Sequence, residues 1–88
     1  MNICLIVGGI PSRFDDFMAE IMRQYPDARQ SAPDEAEIFF VDYLRKDVIQ
    51  WISKYEKPIH MIGYSSIQGN PKIFITKIGE GENNGRYD

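Results

Sequence analysis

Residues 8–13, Gly-Gly-Ile-Pro-Ser-Arg, follow the apolar run Ile3-Cys4-Leu5-Ile6-Val7 and lead into a helical pattern. A strand that ends in glycines and enters a helix is where open α/β folds hold phosphates and other anions. Gly8 and Gly9 would let a ligand approach the main chain, while Ser12 offers a hydroxyl and Arg13 a cation. The segment lacks the Gly-Lys-Ser/Thr ending of a P-loop and the third glycine of a dinucleotide fingerprint. The same residues therefore also fit a plain tight turn, with Ser12 capping the helix.

Two further segments carry polar groups that a parallel sheet would deliver to the same edge. Asp42 and Tyr43 follow the apolar run 38–41, with Lys46 one helical turn on. Gly63, Tyr64, Ser65 and Ser66 follow the run 59–62. Asp42 could orient a ribose hydroxyl, hold a metal or act as a base, and it could equally cap the next helix. Ser65 and Ser66 could bind an anion through hydroxyl and main chain, or simply open a hairpin loop.

Other reactive residue types give less. Cys4 is the only cysteine and His60 the only histidine, which excludes an internal disulfide and leaves no credible zinc set. Cys4, inside a strand, reads as a small buried hydrophobe. His60 is mid-strand, below the polar edge, so no Ser–His–acid arrangement can be assembled. Asp34, Glu35 and Glu37 precede a strand on the opposite edge and read as a solvated loop. A convergent acid–base or nucleophile set is missing, so an enzyme is the less favoured reading. No particular cofactor is specified.

The elements that would position these residues are legible in the hydrophobic pattern. Phe14, Phe17, Met18, Ile21, Met22 and Tyr25 follow helical spacing, predicting a helix over 12–25 stopped by Pro26. Ser12 and Asp15 have capping-box spacing, and Asp15 and Asp16 would lie in the first turn. Residues 28–31 could form a short edge strand. Ile38-Phe39-Phe40-Val41 reads as a strand covered on both faces. A second helix over 44–55 would bury Leu44, Val48, Trp51, Ile52 and Tyr55 on one face. Residues 59–62 form the next strand, and Gln68-Gly69-Asn70-Pro71 turns the chain into a last strand over 72–78. That connection is too short for a crossover helix, so the last strand pairs antiparallel.

Strand–helix–strand–helix–strand implies right-handed parallel crossovers with helices on the sheet faces. The expected fold class is thus α/β, a minimal parallel sheet of Rossmann or flavodoxin type with two helices and a C-terminal antiparallel hairpin strand. Residues 1–78 form one domain, and 79–88, rich in Gly, Glu and Asn, read as a flexible polar tail. A two-layer α+β sheet with both helices on one face is the alternative.

Eighty-eight residues, 43% of them apolar, fit one small globular domain. No apolar run approaches the roughly 18 residues of a membrane span, and the N-terminus has no basic leader, so a cytoplasmic location is expected. The net charge of −3 argues against nonspecific nucleic-acid binding. The charge is uneven: residues 1–44 carry three basic and eight acidic side chains, residues 45–88 seven basic and five acidic. Arg45, Lys46, Lys54 and Lys57 read as a solvated helix face.

Asp42 and Ser65/Ser66 resemble the phosphoacceptor aspartate and hydroxyl residue of response-regulator receiver domains. The acidic pair of receivers is replaced here by Gly8-Gly9, and no lysine follows a last parallel strand, so phosphorylation of Asp42 is not implied. Val7-Gly8-Gly9, together with the strand from Pro58 to Ser66, also resembles a small bacterial domain family with a strand-Val-Gly-Gly-helix opening. That resemblance spans residues 2–66 in layout and implies a fold rather than an activity.

Two functional expectations follow. The first is a small soluble module that binds a phosphate-bearing ligand or nucleotide at the C-terminal edge of its sheet. Its site residues would be Gly8, Gly9, Ser12, Arg13, Asp42, Tyr43, Lys46, Tyr64, Ser65 and Ser66. The second is a protein-interaction module or inhibitor of phage or mobile-element type, acting on a protein partner through its acidic surface. A homodimer through the last strand would add burial to so small a domain.

Overall fold

A computed structural model of the chain describes residues 1–67 and 69–79. The elements are β1 (Asn2–Ile6), α1 (Pro11–Gln24), β2 (Arg29–Gln30), β3 (Ile38–Asp42), α2 (Lys46–Ile52), β4 (Ile59–Ile67) and β5 (Asn70–Gly79). They form one five-stranded sheet in the order β2-β1-β3-β4-β5. The first four strands in that order run parallel and β5 pairs antiparallel with β4. This is the α/β architecture that the hydrophobic pattern predicts. The tail at 80–88 lies outside the described residues.

The two helices cover opposite faces. On one, Phe17 and Ile21 of α1 pack against Ile3, Leu5, Phe40 and Ile62. On the other, Val48 and Ile52 of α2 pack against Cys4, Phe39, Val41 and Ile59. Alternate residues of β1 and β3 thus feed alternate layers, and both strands are apolar throughout because neither face meets water. Cys4 is buried, and burial pushes its thiol pKa up, in keeping with a packing role.

The element ends depart from the sequence expectations in informative ways. α1 starts at Pro11, whose fixed φ and missing N–H suit the first helical position. Ile10 is the N-cap residue, Ser12 makes no capping bond, and the first turn holds no acid. The second helix is shorter than expected: α2 ends at Ile52 and tightens into a 3-10 turn over Ser53–Tyr55. Leu44, ahead of the helix, and Trp51, within it, are not core residues but 60% and 50% exposed. Trp51 packs instead under the Lys54 ammonium, 5.6 Å from its ring centroid.

β2 is only two residues long, and a side chain extends it. Gln30 accepts from the Leu5 N–H (2.9 Å) and donates to the Leu5 carbonyl (3.2 Å), so its amide stands in for the next strand residue. At the other side β4 runs well past β3. It pairs with β3 only over Ile59–Ile62, while Gly63–Ile67 pair with β5 alone, so the hairpin projects beyond the C-terminal ends of the parallel strands. Gly69, at φ 78°, supplies the left-handed residue that so tight a connection needs.

Gly63 lets this projecting hairpin meet the rest of the domain. A Cβ there would overlap the Tyr43 ring and lie 3.1 Å from Phe74. Gly63→Ala should therefore destabilise the fold by about 1–3 kcal/mol, the ordinary range for overpacking. In a Tyr43→Ala background the same change should cost less than half as much by denaturant unfolding. Equal costs in both backgrounds would mean that the ring does not sit on Gly63.

Candidate functional site

The strand order reverses at β1: the chain passes from β1 to β2 on one side, then from β3 to β4 on the other. In open α/β sheets the turns on either side of such a switch point diverge, and the crevice between them, beyond the carboxyl ends of the strands, is where ligands bind. The β1–α1 turn brings Gly8, Gly9 and Arg13, and the β3–α2 turn brings Asp42 and Arg45.

Asp42 anchors the crevice. It ends β3 and is 1% exposed. Its Oδ1 accepts a hydrogen bond from the Leu44 N–H (3.0 Å), and its carbonyl accepts from the Arg45 N–H (2.8 Å). The carboxylate thus holds its own turn rather than capping α2, whose N-cap residue is Arg45. Its Oδ2 lies 3.9 Å from Arg13 Nη1. The Arg13 guanidinium also sits over the Tyr64 ring, 5.2 Å from its centroid. A cation on α1 is in this way held between a buried anion from β3 and an aromatic face from β4.

Tyr64 is fixed in turn. Its ring packs on Phe17 at 5.2 Å between centroids, and its hydroxyl donates to Asp16 Oδ2 at 2.6 Å. That bond, with burial and the Asp16 charge, holds the phenol pKa above its ordinary value.

The glycine pair has no internal steric reason. Neither Gly8 nor Gly9 has a left-handed φ, so the turn does not need them for their torsional range. A Cβ at Gly8 would make ordinary contact, 3.8 Å from Arg45 Cδ and 3.9 Å from Asp42 Oδ2, and one at Gly9 would meet nothing within 4 Å. The helix start is less rich in donors than the sequence suggests. Pro11 has no N–H, the Ile10 N–H is spent on Gly8 O (2.8 Å), and the Arg13 N–H on Ile10 O (3.0 Å).

Of the ten residues singled out from sequence, Gly8, Arg13, Asp42 and Tyr64 form one connected set, with Gly9 beside them in open space. Ser12 is exposed on the first turn of α1, and Lys46 is exposed at the start of α2. Tyr43 does not join the set. Its ring faces Gly63 and packs on Phe74 at 5.7 Å between centroids. Ser65 and Ser66 are not loop residues but lie within β4, paired with Lys72 and Pro71. Ser65 belongs to the face opposite Tyr64, because adjacent strand residues alternate.

Three features were not singled out. Arg45, read as part of a solvated helix face, reaches over Gly8. Asp16, read only as a helix-start acid, orients Tyr64. A groove of about 530 Å³ lies between α1 and the hairpin, lined by Asp16, Ala19, Glu20, Arg23, Tyr64 and Ile73 among others. The last two depend on β4 continuing past β3, and the first on the β1–α1 and β3–α2 turns lying side by side. Among the described residues no group of three or more metal-ligating side chains occurs.

No protein-family model matches this sequence, and no curated protein or solved structure matches it. Of the resemblances in layout, the structure bears out only the small mixed α/β sheet.

The two bonds of Asp42 can be separated. Asp42→Asn keeps an acceptor for the Leu44 N–H, whereas Asp42→Ala leaves that donor without it. Asp42→Ala should cost about 1–3 kcal/mol in chemical denaturation, and Asp42→Asn distinctly less. Equal losses would show that the turn bond contributes nothing.

Proposed function

We propose that this protein is a small-ligand binding module that holds a phosphate-bearing molecule, a nucleotide among the candidates, in the crevice between the β1–α1 and β3–α2 turns. The observation that carries this reading is the open space over Gly9, next to a Gly8 that borders Asp42 and Arg45, beside a positioned arginine. The chain's own conformation does not require either glycine, whereas close approach of another molecule to the main chain does benefit from a missing Cβ. Arg13, held by Asp42 and Tyr64, would supply the main attraction for the phosphate, and Arg45 the second cation. In this reading the side-chain cations, rather than the start of α1, supply most of the attraction, because Pro11 and the Ile10 N–H offer the ligand nothing.

The test uses inorganic pyrophosphate and adenosine phosphates with the full chain, by calorimetry and thermal shift. Wild type should bind at millimolar or lower concentration, and Arg13→Ala should weaken binding by at least about tenfold. Gly9→Ala should leave stability unchanged, or raise it by about 0.5 kcal/mol, while also weakening binding. No heat and no thermal shift with any of these anions would end the proposal.

A second reading, a protein-interaction module, is favoured by one observation. Ile10 and Leu44, 52% and 60% exposed, sit in the two turns that flank the same crevice. Binding of a protein that persists in Arg13→Ala but is lost in Leu44→Asp would support it, and the opposite pattern would return the edge to a small ligand.

A further inference from the structure

The two edges of the sheet are finished differently. At the β2 edge the strand is two residues long and the Gln30 amide occupies the Leu5 main-chain groups. At the other edge β5 runs for ten residues and, among the described residues, no strand lies beyond it. A long open edge is a template for pairing with another chain.

The main-chain directions along this edge follow from the ladder. The Phe39 N–H donates to Pro58 O (2.9 Å) and the Tyr43 N–H to Ile62 O (3.0 Å), so even-numbered β4 residues turn their main-chain groups toward β3. Odd-numbered β4 residues therefore face β5, where Met61, Gly63 and Ser65 pair with Thr76, Phe74 and Lys72. It follows that Ile73 and Ile75 aim their N–H and C=O groups away from β4. Pro71 falls in the same outward set, where its missing N–H interrupts no internal bond.

We infer that the occupant of this edge is a second copy of the same chain, paired antiparallel through β5 about a two-fold axis at Phe74. The sequence Lys72-Ile73-Phe74-Ile75-Thr76 has an apolar centre that reads alike in both directions, as an isologous contact requires. In this register Ile73 of each copy meets Ile75 of the other and exchanges both main-chain bonds with it. Phe74 meets its own equivalent in the closer, non-hydrogen-bonded pair, where aromatic pairs contribute most. Each Phe74 already packs on Tyr43, so the axis would join two aromatic pairs into one row of four rings. No lysine meets a lysine, because Lys72 lies opposite Thr76 and Lys77 opposite Pro71. Ile73 and Ile75 are partly buried at the rim of the α1-side core, and the pairing carries that layer across into the second copy. The inference is independent of the crevice and its ligand.

Sedimentation equilibrium of the full chain, from micromolar to millimolar concentration, should show a monomer–dimer equilibrium. Ile75→Pro removes an outward N–H without touching the β4–β5 ladder, so it should weaken the dimer at least about tenfold while the circular dichroism spectrum stays that of a folded α/β domain. Cysteine cross-linking tests the register without relying on that variant. Phe74→Cys should close a disulfide across the axis under mild oxidation, because its equivalent lies directly opposite, and Ile75→Cys, opposite Ile73, should not. Wild type that stays monomeric at millimolar concentration overturns the inference. So does a folded Ile75→Pro variant that dimerises as well as wild type, or cross-linking of Ile75→Cys as readily as Phe74→Cys.

Discussion

A carboxylate that is 1% exposed at the end of a central strand sets the terms for the rest of this molecule. Buried charge is costly unless it is hydrogen-bonded and faces an opposite charge, and Asp42 receives both kinds of compensation from different parts of the chain. The Leu44 N–H comes from its own turn and makes the β3–α2 connection tight. The Arg13 guanidinium comes from α1 on the other face of the sheet, and it carries the Tyr64 ring of the hairpin with it. One side chain thus links the turn after β3, the start of α1 and the projecting end of β4. The Tyr64–Asp16 hydrogen bond and the Tyr43 ring on Gly63 join the same segments at neighbouring points.

The same geometry shows why the β1–α1 turn differs from a familiar anion site. Helix starts attract anions through N–H groups left without partners. Here Pro11 removes one donor and the bond from Ile10 to Gly8 uses another, so the polarity of the turn is carried by Arg13 and Arg45 instead. Gly9 contributes space rather than torsional freedom, and Gly8 borders Asp42 and Arg45. The position of Arg13 depends in turn on Asp42 and on the Tyr64 ring.

The fold was legible in the sequence because period and composition agree for most elements. Continuous apolar runs mark β1 and β3, and unbroken helical spacing marks α1. The turn at Gly69 made β5 antiparallel. Helix spacing misled where a short helix ended early: Trp51 and Leu44 match the apolar face of a helix over 44–55, but a helix that starts at Lys46 and tightens at Ser53 buries only Val48 and Ile52 fully. The serines after Gly63 misled in a different way. Polar residues after an apolar strand suggest a loop, yet pairing with β5 continues the strand as far as Ile67. Asp42 and Arg13 are legible from their places at strand and helix ends, whereas the groove beside Asp16 exists only because the hairpin projects past β3. Contacts between residues far apart in sequence depend on how far each strand runs, and composition does not encode that length.

The most direct measurement is a nitrogen–proton correlation spectrum of the labelled full chain titrated with inorganic pyrophosphate. The account predicts saturable shifts confined to the amides of Gly8, Gly9, Ser12, Arg13, Leu44 and Arg45, together with the Arg13 side-chain signal, and none in β2 or at the α2 C-terminus. Unchanged amides across the two crevice turns, or shifts centred on another part of the surface, would contradict it.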